Sequence, residues 1–253
     1  MVIAITREVS SRFNECEITH IDRTPIDLDI ARKQHHEYVQ TLAKIGCQII
    51  ELDEEQDLPD SVFVEDTAFI LPEVAVITRP GADSRKPETE SIIQALSSHR
   101  PLVHVVAPAT VDGGDVLVLG KNIFIGMSTR STPEAVTQLQ GFLDNYGYTV
   151  VGVKLTDCLH LKTAVTRVDD NTLLINKNWV SPEHFTGFDL IDVDSSEPFA
   201  ANCLPVKDVI IYPTTFPNTQ KKLEQKGFKI VNVNLDELAK AEGAVTCCSL
   251  IIE

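Results

Sequence analysis

The chain has 253 residues, 43% of them apolar, and a formal charge of −15 at pH 7. That length allows one large domain or two small ones, and the apolar share supports a sizeable core. The acidic balance argues against nucleic acid and anionic membrane surfaces as partners and fits a cationic small ligand.

No stretch approaches the roughly 18 apolar residues of a membrane helix. The opening Met-Val-Ile-Ala-Ile-Thr-Arg is too short an apolar run, and too poor in basic residues, to be expected as a secretory leader. The six cysteines lack Cys-x-x-Cys spacing and a His at zinc-finger distance. A reduced, cytoplasmic protein with mostly structural thiols is therefore expected.

Val2 to Thr6 reads as a buried strand, and the polar stretch Arg7 to Thr24 as a long loop of the kind that covers a site. Pro25 to Ile45 carries Ile26, Ile30, Ala31, Tyr38, Leu42 and Ile45 near the helical period and ends at Gly46. Cys47 to Leu52 is a strand, followed by an acidic loop from Asp53 to Asp60. From there a pattern recurs. Ser61 to Phe69 and Val74 to Thr78 read as strands, Lys86 to Ser97 as a helix and Leu102 to Val106 as a strand. The same order of strand, strand, helix, strand restarts at Val111-Asp-Gly-Gly-Asp115, at Leu159-His-Leu161 and at Phe199-Ala-Ala-Asn202. A fifth unit opens at Thr246-Cys247 and is completed by the N-terminal strand, helix and strand.

The residues at these openings are Asp66, Asp112, His160, Asn202 and Cys247, in steps of 46, 48, 42 and 45 residues. One such unit cannot bury its own sheet, so neighbours must stack. The repeat predicts an α/β fold in which five units close into a ring, a five-bladed propeller-like arrangement without exposed edges. An open α/β sheet is the alternative. In the ring, equivalent positions converge on the axis. A thiol and an imidazole are then brought together for covalent catalysis, with a carboxylate to orient the imidazole. A second buried carboxylate needs a cation, and no spare cation of the protein stands at the openings; a substrate guanidinium would serve. The same cation would lower the thiol pKa.

Five segments in order, Leu58-Pro-Asp-Ser-Val-Phe-Val-Glu-Asp66, Ile77-Thr-Arg-Pro-Gly-Ala82, Val111-Asp-Gly-Gly-Asp-Val116, Leu159-His-Leu-Lys162 and Gly243-Ala-Val-Thr-Cys-Cys-Ser249, closely resemble the dimethylarginine dimethylaminohydrolase family of guanidine-modifying enzymes. The resemblance covers nearly the whole chain and implies one five-bladed α/β propeller domain over residues 1–253. It implies hydrolysis of Nω-methylated arginine to citrulline and methylamine or dimethylamine, without a cofactor or metal and through a covalent thiouronium on cysteine. Cys247 matches the nucleophile, His160 the acid/base and Asp112 its orienting carboxylate. Asp66 matches the residue that holds the guanidinium, and Glu65 a further site carboxylate. Arg85 and Arg130 match the α-carboxylate pair; Asp60 and the carbonyls of Ile18 and Ala241 match the α-amine site. The thiol, imidazole and carboxylates would also trap zinc as an inhibitor. The expected partner is a small cationic guanidino amino acid, and the resemblance leaves room for a homodimer. Arginine deiminase chemistry and a non-catalytic propeller binding a cationic amino acid are the alternatives. The compact length, without an inserted helical domain, favours the methylarginine reading.

Overall fold

The computed structural model describes residues 1–253. Each unit is built on a short apolar run that becomes the middle strand of a three-stranded sheet. These runs are Ile3–Arg7, Ala75–Ile77, Asn122–Met127, Thr172–Ile175 and Val209–Pro213, all largely buried. A strand covered on both faces must be apolar without alternation, which is how these segments read. Each middle strand pairs antiparallel with one neighbour and parallel with the other. The parallel partner can be reached only by a crossover.

The helices are α1 (Leu28–Ile45), α2 (Thr89–Leu96), α3 (Pro133–Leu143), α4 (Leu161–Ala164), α5 (Pro217–Gln225) and α6 (Asp236–Ala239). Helices α1, α2, α3 and α5 supply four crossovers, and the 3-10 turn Pro182–Phe185 supplies the remaining one. The first sheet joins the two chain ends. Leu250–Ile252 runs antiparallel to Ile3–Arg7, which runs parallel to Gln48–Leu52.

The core lies in five apolar clusters, each between consecutive sheets. Ile5 and Leu250 of the first sheet meet Ala75 and Ile77 of the second. Phe69 and Val76 meet Val116 and Ile123 of the third. Leu117 and Phe124 meet Leu173 and Ile175 of the fourth. Leu174 and Ile191 meet Ile210 and Tyr212 of the fifth. Val206 and Ile211 then meet Ala4 and Leu42, returning to the first.

Three expectations about elements are corrected. Helix α1 starts at Leu28 rather than Pro25, because the Asp27 carboxylate accepts the Ile30 N–H and caps it there. Ile30, expected in the core, is 44% exposed. The segment expected as one strand from Ser61 to Phe69 is a 3-10 turn, Val64–Thr67, followed by the strand Ala68–Ile70. In a strand, successive side chains face opposite ways; the turn lets Glu65 and Asp66 both be buried. Likewise the unit that restarts at Leu159-His-Leu161 opens on α4 rather than directly on a strand, and its first strand spans Val165–Arg167.

Candidate active site

The five opening segments meet, and hydrogen bonds pass from each to the next. Asp66 Oδ1 accepts the Gly114 N–H at 2.9 Å. Asp112 Oδ2 lies 3.1 Å from His160 Nε2. Asn202 Nδ2 donates to the Lys162 carbonyl at 3.0 Å and to Thr246 Oγ1 at 3.0 Å, while the Thr246 N–H donates back to Asn202 Oδ1 at 3.1 Å. The Glu65 N–H donates to the Cys247 carbonyl at 3.1 Å, which completes the circuit.

Cys247 and Cys248 sit on a turn over residues 245–248, ahead of the strand rather than within it. Both sulfurs engage one residue: Cys247 Sγ accepts the Ala244 N–H at 3.4 Å, and Cys248 Sγ donates to the Ala244 carbonyl at 3.7 Å. Cys247 is half-buried and Cys248 fully buried, so only the first thiol reaches the cavity. That cavity, about 490 Å³, is lined by Cys247, His160, Gly114 and Thr246 together with His20 and Phe216. Glu65, Lys162 and Thr246 also line a separate cavity of about 560 Å³, so this trio forms the partition between the two.

Electrostatics at the thiol is dominated by acids. Burial pushes the Cys247 pKa well above the ordinary thiol value, and Glu65 and Asp66 push it further. A cation bound among these acids would reverse the second contribution. For His160, burial lowers the pKa, but Asp66, Asp115 and Asp112 together outweigh it and raise the imidazole to about 9. Asp66 moves the other way: burial opposes its charge, and His160, Arg85 and the Gly114 N–H overcome this and hold the carboxyl low. A protonated imidazole is thus held against carboxylates beside a neutral thiol. One oxygen each of Asp66 and Asp112 and one His160 nitrogen lie within 4.8 Å of one another. Two carboxylate oxygens and an imidazole nitrogen suit a divalent cation without the thiol, and such an ion would occupy the imidazole.

The cations expected to be missing are present. Arg85 Nη1 donates to Asp66 Oδ2 at 2.5 Å, and Lys162 Nζ donates to Glu65 Oε1 at 2.7 Å. The reading that Asp66 lacks a protein counter-ion is thereby corrected. Arg85 is buried, with Nε and Nη2 on Glu88 and Nη2 also on the carbonyls of Asp60 and Phe63. A substrate carboxylate would reach it only by displacing one of those acceptors. Arg130 is less committed: Nη1 stands 3.5 Å from Asp112 Oδ2, and Nη2 donates to Thr19 Oγ1 at 3.1 Å. Asp60 accepts the Glu17 N–H through both oxygens, at 3.2 and 3.1 Å. Ile18 follows Glu17 directly, Ala241 lines a small cavity with Asp60, and no backbone amide donates to either carbonyl.

Sequence reading missed Asp115, whose acid beside two glycines reads as an ordinary turn. It is fully buried and accepts the Leu161 N–H at 3.0 Å at the start of α4, directly after His160. Ser128 and Ser131 donate to its other oxygen, and Ser131 in turn accepts the Asp112 N–H at 3.2 Å. Burial raises Asp115 to about 6, with His160 and the serines opposing. Lys162 has no local signal of a role, and only its distant partner Glu65, 97 residues away, reveals one.

A half-buried thiol next to a carboxylate-held imidazole, in an α/β fold of five small sheets, defines the class: an enzyme-like centre for covalent chemistry on a cationic substrate. The model of the family described as N,N dimethylarginine dimethylhydrolase, eukaryotic, matches residues 14–252. The dimethylarginine dimethylaminohydrolase of Pseudomonas aeruginosa is 36% identical over 222 residues, covering 87% of each chain. A solved structure of the enzyme from that organism, a cysteine-to-serine variant complexed with citrulline, superposes with a TM-score of 0.94 at 33% identity over 98% of both chains. A histidine-to-glycine variant of a dimethylarginine dimethylaminohydrolase, as an adduct with S-methyl-L-thiocitrulline, gives a TM-score of 0.95 at 32% identity over the whole of both chains. The chain belongs to the dimethylarginine dimethylaminohydrolase family.

Proposed function

We propose that this protein hydrolyses Nω-methylated arginine to citrulline, releasing methylamine or dimethylamine. The observation that carries the reading is the half-buried Cys247 thiol set among buried Glu65 and Asp66, beside the Asp112–His160 pair. The substrate guanidinium takes its place among these acids, with Asp66 as its principal carboxylate, and lowers the thiol pKa so that the thiol proton passes to solvent and leaves the thiolate. Cys247 Sγ then forms a bond to the guanidinium carbon. His160 gives its proton to the departing amine as the C–N bond breaks, leaving an S-alkyl thiouronium. The imidazole, now neutral, takes a proton from water, and the hydroxide adds to the same carbon. The C–S bond breaks as the added hydroxyl gives its proton to solvent, citrulline leaves and the thiolate is restored. Splitting one hard displacement into two steps, with positioned proton transfer in each, is the advantage of this route.

Asp112 holds His160 through Nε2. Arg130, with Arg85 behind it, takes the α-carboxylate, and Asp60 with the Ile18 and Ala241 carbonyls takes the α-amine. The five sheets form the blades of one propeller domain over residues 1–253; the cyclic order of the core clusters and the hydrogen-bond circuit around the openings support this. A reducing, cytoplasmic location fits six unpaired cysteines.

The test is citrulline formation from arginine, monomethylarginine and dimethylarginine, with and without a thiol alkylator. Methylated arginines should be turned over and alkylation should stop it. Cys247→Ser should lose turnover while keeping its circular dichroism spectrum, and undiminished citrulline production by this variant would overturn the mechanism.

A further inference from the structure

The α-amine site in the proposed reading is made by two backbone carbonyls on segments far apart in sequence, Ile18 and Ala241. Nothing in either segment alone fixes the distance or angle between them. Residues 18–21 lie at the tip of the long loop, half-buried to exposed and outside any helix or strand. The base of that loop is tied down by its own contacts: Asn14 exchanges two hydrogen bonds with Ile26, at 3.0 Å each, and Arg23 donates to the carbonyls of Asn14 and Cys16. The tip is held from outside, by Glu242. Its carboxylate accepts the Thr19 N–H through Oε2 and the His20 N–H through Oε1, both at 2.7 Å. Glu242 itself has φ +60°, a left-handed conformation that a non-glycine residue adopts at a cost.

Two covalent facts give this contact its consequence. The N–H of Thr19 and the carbonyl of Ile18 belong to the same planar, trans peptide and point in opposite directions. Fixing one end of that dipole fixes the other. Glu242 is also the residue directly after Ala241, so the side chain that grips the loop grows from the segment bearing the second carbonyl. A bond donated by a backbone amide to a carboxylate is among the stronger hydrogen bonds, and here there are two in parallel. Arg130 adds a lateral tie through Thr19 Oγ1.

We propose that Glu242 is a positioning residue for substrate selection: it orients the Ile18 carbonyl and sets its spacing from the Ala241 carbonyl, and so confers preference for guanidino compounds that carry a free α-ammonium group. The proposal rests on the reading of those two carbonyls as the α-amine site. The Glu242 carboxylate bonds to the two loop amides and makes no hydrogen bond to Cys247 or His160, so its effect falls on binding of the α-amine end.

The test compares monomethylarginine with its des-amino counterpart, 5-(methylguanidino)pentanoate, in the wild type, Glu242→Gln and Glu242→Gly. Gln keeps the shape but can accept only one of the two amides and turns an N–H towards the other. Gly removes the side chain at a backbone angle it adopts freely. For monomethylarginine both variants should lose about tenfold or more in kcat/KM, mainly through KM. For the des-amino compound the change should be within about twofold. Hydrogen exchange at the Thr19 and His20 amides should quicken in both variants. An equal loss on the two substrates, or unchanged kinetics with unchanged exchange, overturns the role of Glu242 and leaves the α-amine site standing. A wild type that treats the two substrates alike removes the α-amine reading itself, and the proposal with it.

Discussion

The Cys247 thiol is a poor nucleophile in the free protein because its surroundings disfavour the thiolate. Burial disfavours the thiolate, and Glu65 and Asp66 oppose it again. Alkylation by neutral iodoacetamide should therefore be slow at pH 7 and still rising above pH 9, and Asp66→Asn should speed it near neutrality by removing one opposing charge. An inactivation profile with its midpoint at the ordinary thiol value would contradict this account. Asp112 works on the imidazole in the opposite sense, since it is one of three carboxylates that hold His160 protonated. Asp112→Asn should lower kcat by about 10²–10⁴-fold, the range for positioned proton transfer. It should also move the titration of His160 down towards the usual imidazole range, which NMR or the pH–rate profile would read. These two carboxylates were legible from their places in the repeat. Arg85 on Asp66 and Lys162 on Glu65 were not, because the partners lie 19 and 97 residues apart and neither spacing carries a local signal.

Among the elements, short turns aim the chemistry and strands carry the core. Asp115 accepts the Leu161 N–H at the entrance of α4, and through Ser131 it also steadies the Asp112 amide. Asp115→Asn keeps the volume but replaces one acceptor oxygen with a donor facing an N–H or a hydroxyl. Activity should fall by about tenfold or more, with a loss of stability of about 1–3 kcal/mol from the mispaired buried group, measured by denaturant unfolding. Gly114 shows how closely the turns approach. A Cβ there would lie 2.6 Å from His160 Nδ1 and 2.9 Å from Asp66 Oδ1. Gly114→Ala should displace the imidazole and depress turnover more than it depresses the unfolding midpoint; equal turnover would mean that the ring can move freely. The hydrophobic period located the middle strands well. It failed at residues 61–67, where two adjacent buried acids sit on a 3-10 turn that no apolar period marks.

The pH dependence of stability belongs to the molecule as a whole. His160 is raised to about 9, so the native state keeps a proton that the unfolded chain releases near the ordinary imidazole value. That contribution is complete below about pH 6.5 and is lost as pH rises towards 9. Burial, partly offset by Arg85, raises Glu88 to about 7, and Asp115 stands near 6. Both also favour the protonated native state, so their contributions fall away as pH rises from the usual carboxylate range to those values. Asp66, held low, acts oppositely and loses its contribution only in strong acid. The thermal midpoint should therefore be several degrees higher at pH 6 than at pH 9, and His160→Gln should flatten the part above pH 6.5. A midpoint that rises between pH 6.5 and 9 would show that the imidazole is not held protonated in the fold. The charge of −15 adds self-repulsion with the same sign as pH increases.

By itself the sequence determined the five units, their middle strands and the residues that open each of them, because apolar runs, turn residues and a period of about 45 residues are properties of the chain read locally and by self-comparison. It also placed Cys247, His160, Asp112 and Asp66 at equivalent openings. Only the tertiary structure decided which charges neutralise which, that Asp115 stands behind the imidazole, and that Glu242 grips a loop more than 200 residues away. Those are contacts between segments with no pattern in common. Their physics lies in proximity after folding, where a buried charge or an unpaired amide must find whatever partner the fold brings to it.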